Sequence, residues 1–232
     1  MNENPETVGV IEKEDVETAG AVEKSAKLYY RIIKRAFDLL ISTVGIVLLI
    51  PVIVLVKLLY ICTGDLHSIF LVQKRIGKGG KEFSFFKFRT MVSDADIVLE
   101  EILNENSELA EEYKANKKLE RDPRITKAGG FIRRFSIDEL PQVLNIFAGK
   151  MTVIGNRPYL PREKEDMGDY FSSIVSTKPG LTGYWQVSGR SDVSFLKRLQ
   201  LEQYYSEHCC LKLDISIFFK TFKVVLFGSG AK

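Results

Sequence analysis

Phe37 to Ile61 is almost wholly apolar and constrains this chain more than any other stretch. Asp38, Pro51 and Lys57 interrupt it. As a helix, its roughly 25 residues at 1.5 Å each reach about 37 Å, enough to enter or span a bilayer. It starts too far into the chain, runs too long and lacks the small-residue cleavage pattern of a secretory signal peptide. Pro51 removes a helical N–H near the centre and predicts a kink there. Basic residues flank both ends, with Lys27, Arg31, Lys34 and Arg35 before it and Lys57, Lys74 and Arg75 after it. The positive-inside rule therefore selects neither orientation. A helix bent at Pro51 that enters and leaves by one face resolves this; a single span with a tolerated proline is the alternative reading.

Around that segment the chain reads as one domain with appendages. It has 232 residues and a net charge of +3. Met1 to Glu23 holds seven acids against one lysine and no aromatic residue, the composition of a disordered tail. The three cysteines form no Cys-x-x-Cys pair, and His67 and His208 are isolated, so a zinc site is not expected. The basic residues form no nucleic-acid-binding stripe.

The soluble part carries a second strong signal. In Phe131-Ile-Arg-Arg-Phe-Ser-Ile-Asp-Glu-Leu-Pro-Gln142, two adjacent acids, Asp138 and Glu139, follow two arginines. Pro141 belongs in the first turn of a helix, so that helix is expected to start near Asp138 and run through Val143, Leu144, Ile146 and Phe147. Asp138 can then be read as an N-cap. It can equally be read as a carboxylate nucleophile toward phosphorus, with arginines offsetting charge repulsion.

Elsewhere, Ile69 to Arg75 and Lys81 to Met91 predict a hairpin around Gly77-Lys78-Gly79-Gly80, with Lys87 and Arg89 at the end of the second arm. Ser93 to Leu119 predicts one helix capped by Ser93, with Gly129-Gly130 punctuating before a helix over Phe131 to Arg134. Arg157, held between Asn156 and Pro158, suits a fixed phosphate clamp. Arg190, beside Gly189, lies on a backbone that can approach a ligand. Taken singly, each arginine reads more readily as a surface ion-pair partner; several on turns around one acid pair shift that balance. Lys178 to Gly183 predicts tight turns, Tyr184 to Val187 a short strand, and Phe195 to Glu207 and Leu211 to Phe227 amphipathic helices. The last of these, basic and aromatic, suits a lipid headgroup region or a core contact.

Seven runs, in order, resemble the bacterial sugar transferase family. They are Lys34-Arg-Ala-Phe-Asp38, Phe86-Lys-Phe-Arg-Thr-Met91, Asp122-Pro-Arg-Ile-Thr-Lys127, Ser136-Ile-Asp-Glu-Leu-Pro-Gln142, Gly155-Asn-Arg-Pro158, Lys178-Pro-Gly-Leu-Thr-Gly183 and Trp185-Gln-Val-Ser-Gly-Arg190. The resemblance covers about Tyr30 to Leu226. It implies an α+β, mostly helical fold: an acidic tail over 1–28, a re-entrant membrane helix over 29–62, and a small cytoplasmic catalytic domain over 63–228 with interfacial amphipathic helices. It implies transfer of a hexose-1-phosphate from a UDP-sugar to undecaprenyl phosphate at the bacterial cytoplasmic membrane, with UMP released, as the first membrane step of exopolysaccharide or capsule synthesis. Galactose or glucose is the expected sugar.

In that scheme Asp138 is the nucleophile that forms a phosphosugar ester, and Glu139 is its partner. Mg²⁺ is held by both acids and the diphosphate. Arg133, Arg157 and Arg190 match family arginines around the phosphates, with Arg89 and Gln186 as further substrate contacts and Pro51 as the membrane kink. Downstream glycosyltransferases and a second copy of the chain are the candidate protein partners. Two positions depart from the family pattern. Ile50 replaces the serine common before the kink proline, and Asn156 replaces the first proline of Gly-Pro-Arg-Pro, which is expected to relax the backbone before Arg157. A membrane-anchored nucleotide-sugar diphosphate hydrolase and a non-catalytic assembly scaffold are the rival readings.

Overall fold

The computed structural model describes the backbone of residues 5–116, 119–188 and 193–227, and the side chains of 27–114, 119–188 and 193–223. The chain divides into two compact units, Met1–Phe37 and Asp38–Lys232. The first is helical, with Leu28, Tyr29, Ile32 and Ile33 exposed and the Lys34 ammonium 5.5 Å from the Tyr30 ring centroid. The helix it begins, α1, is bounded by Pro5 and Cys62. It takes in residues 5–26, which composition alone leaves without structure; Glu, Ala, Val and Lys in that stretch are all compatible with a helix.

Within the second unit, α1 buries one stripe and exposes the other. Asp38, Ser42, Leu49, Val56 and Tyr60 are each 4% exposed or less, at spacings of helical period. Leu49, Val56 and Tyr60 join Ile69, Phe88, Ala128, Ile132 and Val143 in one core cluster. Asp38, an odd residue in an apolar run, is satisfied there: its Oδ1 accepts from Thr152 Oγ1 at 2.9 Å and from the Val153 N–H at 2.8 Å. The opposite face, including Leu40, Val44, Val47, Ile50, Val54 and Leu55, is exposed. Pro51 lies inside α1, and the helix is continuous through it. Its missing N–H leaves the Val47 carbonyl without its helical donor on the exposed face.

Gly45 makes the close approach of α1 possible. A Cβ there would stand 2.7 Å from Val143 Cγ1. Val143 is buried and β-branched, so it cannot swing away cheaply. Gly45→Ala is therefore expected to destabilise the domain by about 1–3 kcal/mol. Thermal melts in detergent measure this, and Val143→Ala should restore most of the loss.

Two small sheets support the rest. Strands β1 (Phe70–Ile76) and β2 (Glu82–Phe88) pair antiparallel, with Leu71 opposite Lys87 and Val72 opposite Phe86. The connection at Lys78–Gly80 is a short 3-10 turn in which Gly79 and Gly80 have positive φ, as the hairpin reading requires. Helices α2 (Ala95–Glu105) and α3 (Ser107–Asn116) replace the single helix expected over 93–119. Asn106 is extended and its Oδ1 accepts from the Leu109 N–H, so it ends one helix and caps the next. Asp94, not Ser93, occupies the cap position of α2.

Helix α4 (Lys127–Arg134) is capped by Thr126, which accepts from the Gly129 N–H. Gly129 thus lies inside the helix rather than before it; its bare backbone packs on that of Thr90. Helix α5 (Gln142–Phe147) leads to a positive-φ turn at Gly149 and to β3 (Thr152–Ile154). Short helices α6 (Lys164–Met167) and α7 (Tyr170–Ile174) precede β4 (Gly180–Thr182), which pairs parallel with β3. Tyr184–Ser188 is helix α8, not the strand that its aromatic and β-branched residues suggest. The adjoining α9 (Phe195–His208) begins at the Ser194 cap and is followed by α10 (Leu211–Phe227). Helix α10 answers both readings of its composition: Ile217 is buried, while Ile215, Phe219 and Phe222 are exposed.

Candidate active site

The acid pair lies in a 3-10 turn, Ile137–Glu139, set between α4 and α5. Ser136 enters that turn at φ 54°, ψ 23°, left-handed for a residue with a Cβ. Pro141 takes the N-cap position of α5, so the helix starts at Gln142, four residues after Asp138 and later than the proline argument places it. Asp138 does not act as a helix cap. The residue is 5% exposed and its Oδ2 is 2.8 Å from the Lys87 ammonium, which β2 delivers. Glu139 is half-buried; burial raises its carboxyl above the ordinary range, the neighbouring Asp138 adds to this, and Lys87, Arg157 and Arg75 oppose it.

The arginines of the sequence analysis separate into three groups. Arg133 lies in the last turn of α4 and donates from Nε to Thr90 Oγ1 at 2.8 Å. Burial lowers its affinity for a proton, and the Asp138 charge opposes that loss. Arg157 follows β3, and its N–H donates to Glu202 Oε1 at 2.8 Å. Its Nε is buried with no partner, and Glu139 feels its charge. These two accompany the dyad. Arg89 is committed elsewhere: its Nε donates to the Ser68 carbonyl, Nη1 to the Met91 carbonyl, and Nη2 to both Asp65 oxygens at 2.8 and 2.9 Å. It is one of the expected substrate contacts, yet in this structure its Nε, Nη1 and Nη2 all donate to groups of the fold. Gln186 lies on α8 with Nε2 3.4 Å from the Leu181 carbonyl, and no hydrogen bond links it to the dyad. Arg190 lies outside the described residues.

Arg75 was not singled out for this site, yet it belongs to its charge environment. Its Nη1 donates to the Pro158 carbonyl at 3.0 Å, its Nε is buried without a partner, and Glu163 is 4.0 Å away. Burial, with Arg157 close by, pulls its pKa down to about 10. The signal available in sequence was an arginine immediately before the hairpin turn, on the arm opposite Lys87. The Asn156 departure has a structural use. Its buried Nδ2 donates to Ser206 Oγ at 2.7 Å and to the Ile174 carbonyl at 3.1 Å. The side chain thereby ties the Arg157 segment to α7 and α9, so the backbone there is held rather than relaxed.

Among the described residues, no three His, Cys, Asp or Glu side chains converge as a metal cage. The dyad can offer a divalent cation two carboxylates. Mg²⁺ commonly takes one or two protein carboxylates and fills its shell with water and substrate phosphates, so that donor set is compatible with it. A cation would also relieve the burial and like-charge penalty on Glu139.

Comparison with known proteins gives the same reading as the motifs. The family model described as bacterial sugar transferase matches residues 29–228. The exopolysaccharide production protein ExoY of Rhizobium meliloti (strain 1021) is 40% identical over 198 residues, covering 85% of this chain and 87% of that protein. The undecaprenyl-phosphate galactose phosphotransferase of Salmonella typhimurium is 40% identical over 206 residues, 89% of this chain but 43% of that longer protein. The undecaprenyl-phosphate glucose phosphotransferase of Komagataeibacter xylinus is 32% identical over 212 residues, 85% of this chain and 36% of that protein. With the dyad, its lysine and its arginines all falling inside the matched region, the chain belongs to the bacterial sugar transferase family.

Proposed function

We propose that this protein is a phosphoglycosyl transferase that moves a hexose-1-phosphate from a UDP-sugar to undecaprenyl phosphate. It would thereby start an exopolysaccharide or capsule repeat unit. The observation that carries the reading is a buried Asp138 carboxylate held at Lys87, beside arginines whose donors are not all taken up by protein. A carboxylate so placed is a nucleophile whose attack on an anionic phosphate is aided by neighbouring cations. Relatives named for galactose and glucose transfer support the two sugars as candidates.

In the first half-reaction an Asp138 oxygen bonds to the β-phosphorus, and the bond from that phosphorus to the bridging oxygen breaks. UMP leaves with the electron pair, and Asp138 carries a phosphosugar ester. In the second, an oxygen of the lipid phosphate attacks the same phosphorus, the ester bond breaks, and Asp138 returns as a carboxylate. Lys87 neutralises the resting carboxylate and is placed to follow the charge as the ester forms. Arg157 and Arg133 would bind the diphosphate and offset its charge. Mg²⁺, held by Asp138 and Glu139 with the substrate, would supply charge neutralisation and Lewis acidity.

Helix α1 supports placement at a membrane. Residues on both sides of Pro51 are seated on the same catalytic domain, from Asp38 and Ser42 to Val56 and Tyr60. A helix leaving the domain to cross the bilayer would keep only one end so seated. Its exposed face, with the exposed aromatics of α4, α5 and α10, supports a domain resting on one leaflet, where the lipid phosphate lies. Acceptor dependence tests the function. Purified protein with Mg²⁺ and labelled UDP-galactose or UDP-glucose should form labelled lipid only when undecaprenyl phosphate is added. Steady release of free sugar phosphate without lipid would instead establish the hydrolase.

A further inference from the structure

Behind Arg157 lies a buried carboxylate that the proposed chemistry does not use. Glu202, on α9, is 1% exposed. Its Oε1 accepts the Arg157 N–H at 2.8 Å, while its Oε2 is buried with no partner. The groups facing it are Arg157 and Tyr159 from the segment after β3, and Arg198 one turn earlier on α9. The Tyr159 hydroxyl lies toward it but outside hydrogen-bonding geometry, and Arg157 Nε and Arg198 Nε are also buried without partners. Glu163 acts on Arg198, and Arg75 and Glu139 lie in the field of Arg157. Helices α7 and α8, which also pack on α9, bring no charged side chain to it.

This is an anion held by charge rather than by saturated hydrogen bonds. Its hydrogen bond to Arg157 runs to the backbone N–H, and the Arg157 guanidinium acts on it through charge, favouring the ionised form. A diphosphate seated on the Arg157 guanidinium competes for the same positive charge and repels the Glu202 carboxylate through a buried, poorly screened interior. We propose that Glu202 is the internal counter-anion of Arg157 and takes up a proton when a sugar-nucleotide diphosphate binds there. The inference rests on the assignment of Arg157 to the substrate diphosphate.

The ionisation of Glu202 is balanced finely enough for this. Burial raises its pKa from 4.5 to about 7, against the pull of the Arg157 N–H, Tyr159 and the two guanidiniums. Because its carboxyl is raised on folding, the stability it allows is complete below about pH 4.5 and declines as pH rises through about 7. Proton uptake on binding then makes the diphosphate bind more tightly on the acid side of that range, by the reciprocity of linked equilibria.

UDP-galactose binding by calorimetry tests the coupling on the Asp138→Asn background, where no phosphosugar ester can form. Affinity should be about tenfold tighter at pH 6 than at pH 8, with heats that depend on the buffer as one proton is taken up. Adding Glu202→Gln keeps an acceptor for the Arg157 N–H but removes the charge. It should tighten binding at pH 8 by about tenfold, abolish that proton's uptake and raise the melting temperature at pH 8 relative to pH 6. Weaker binding by Glu202→Gln, or an unchanged proton count, would overturn the coupling; a residue needed only for the fold would give weaker binding together with a lower melting temperature. Failure of every variant to bind UDP-sugars at either pH would overturn the substrate assignment and the inference with it.

Discussion

Asp138→Asn is expected to reduce lipid-linked product formation by about 10³-fold or more, because an amide oxygen is a poor nucleophile and no other group replaces it. The substitution preserves size and planarity at a site that is 5% exposed, so the fold should survive. It leaves the Lys87 ammonium without its carboxylate at 2.8 Å, which argues for a modest change in stability and a large one in chemistry. Intact-mass measurement gives the decisive readout. Wild-type protein mixed with Mg²⁺ and UDP-sugar, with lipid withheld, should gain the mass of a hexose phosphate on Asp138, and the Asn variant should gain none. Glu139→Gln should still form the adduct but transfer it slowly. An Asp138→Asn protein that retained both adduct and turnover would place the nucleophile elsewhere.

Much of this arrangement was legible because its parts are local. The apolar run, the hairpin turn glycines and the acid pair each carry their signal in adjacent residues, and the structure puts a helix, a turn and a dyad with a buried Asp138 where those signals fall. What escaped the sequence depends on partners far along the chain. Asp138 is equally plausible as a cap until β2 brings Lys87 to it across about fifty residues. Arg89 and Arg157 are indistinguishable as isolated arginines. Only Asp65 and Glu202, the one a side-chain partner and the other a backbone acceptor, separate a guanidinium that is spent from one that is not. The α8 strand reading failed for a related reason. Tyr184-Trp-Gln-Val has strand-forming side chains, but β4 already ends at Thr182, and the next residues turn to pack on α9 and α10 as a helix.

That difference between the two arginines yields opposite expected outcomes. Arg157→Ala should lower kcat/KM by about 10²–10³-fold, the scale for removing one preorganised cation or donor from developing negative charge. The melting temperature should fall modestly, and more at pH 8 than at pH 6, because the buried Glu202 carboxylate loses a neighbouring cation and only on the acid side can it take a proton instead. The guanidinium makes no hydrogen bond to the described residues, and the link to Glu202 runs through the backbone N–H, which alanine keeps. Arg157→Lys should recover part of the loss by restoring charge without the two-pronged donor geometry. Arg89→Ala should do the reverse. It strands the Asp65 carboxylate and frees the Ser68 and Met91 carbonyls, at a cost of about 3–5 kcal/mol if the pair behaves as a buried one. The Asp65 side chain is 17% exposed, so solvent screening places the expected loss toward the lower end of that range. Activity should then fall in step with the folded fraction, with KM for the UDP-sugar unchanged in what remains folded. Melting curves beside steady-state kinetics separate the two cases. A well-folded Arg89→Ala protein that had lost its affinity for the UDP-sugar would return Arg89 to the phosphate site, and would mean that the Asp65 pair opens when substrate binds.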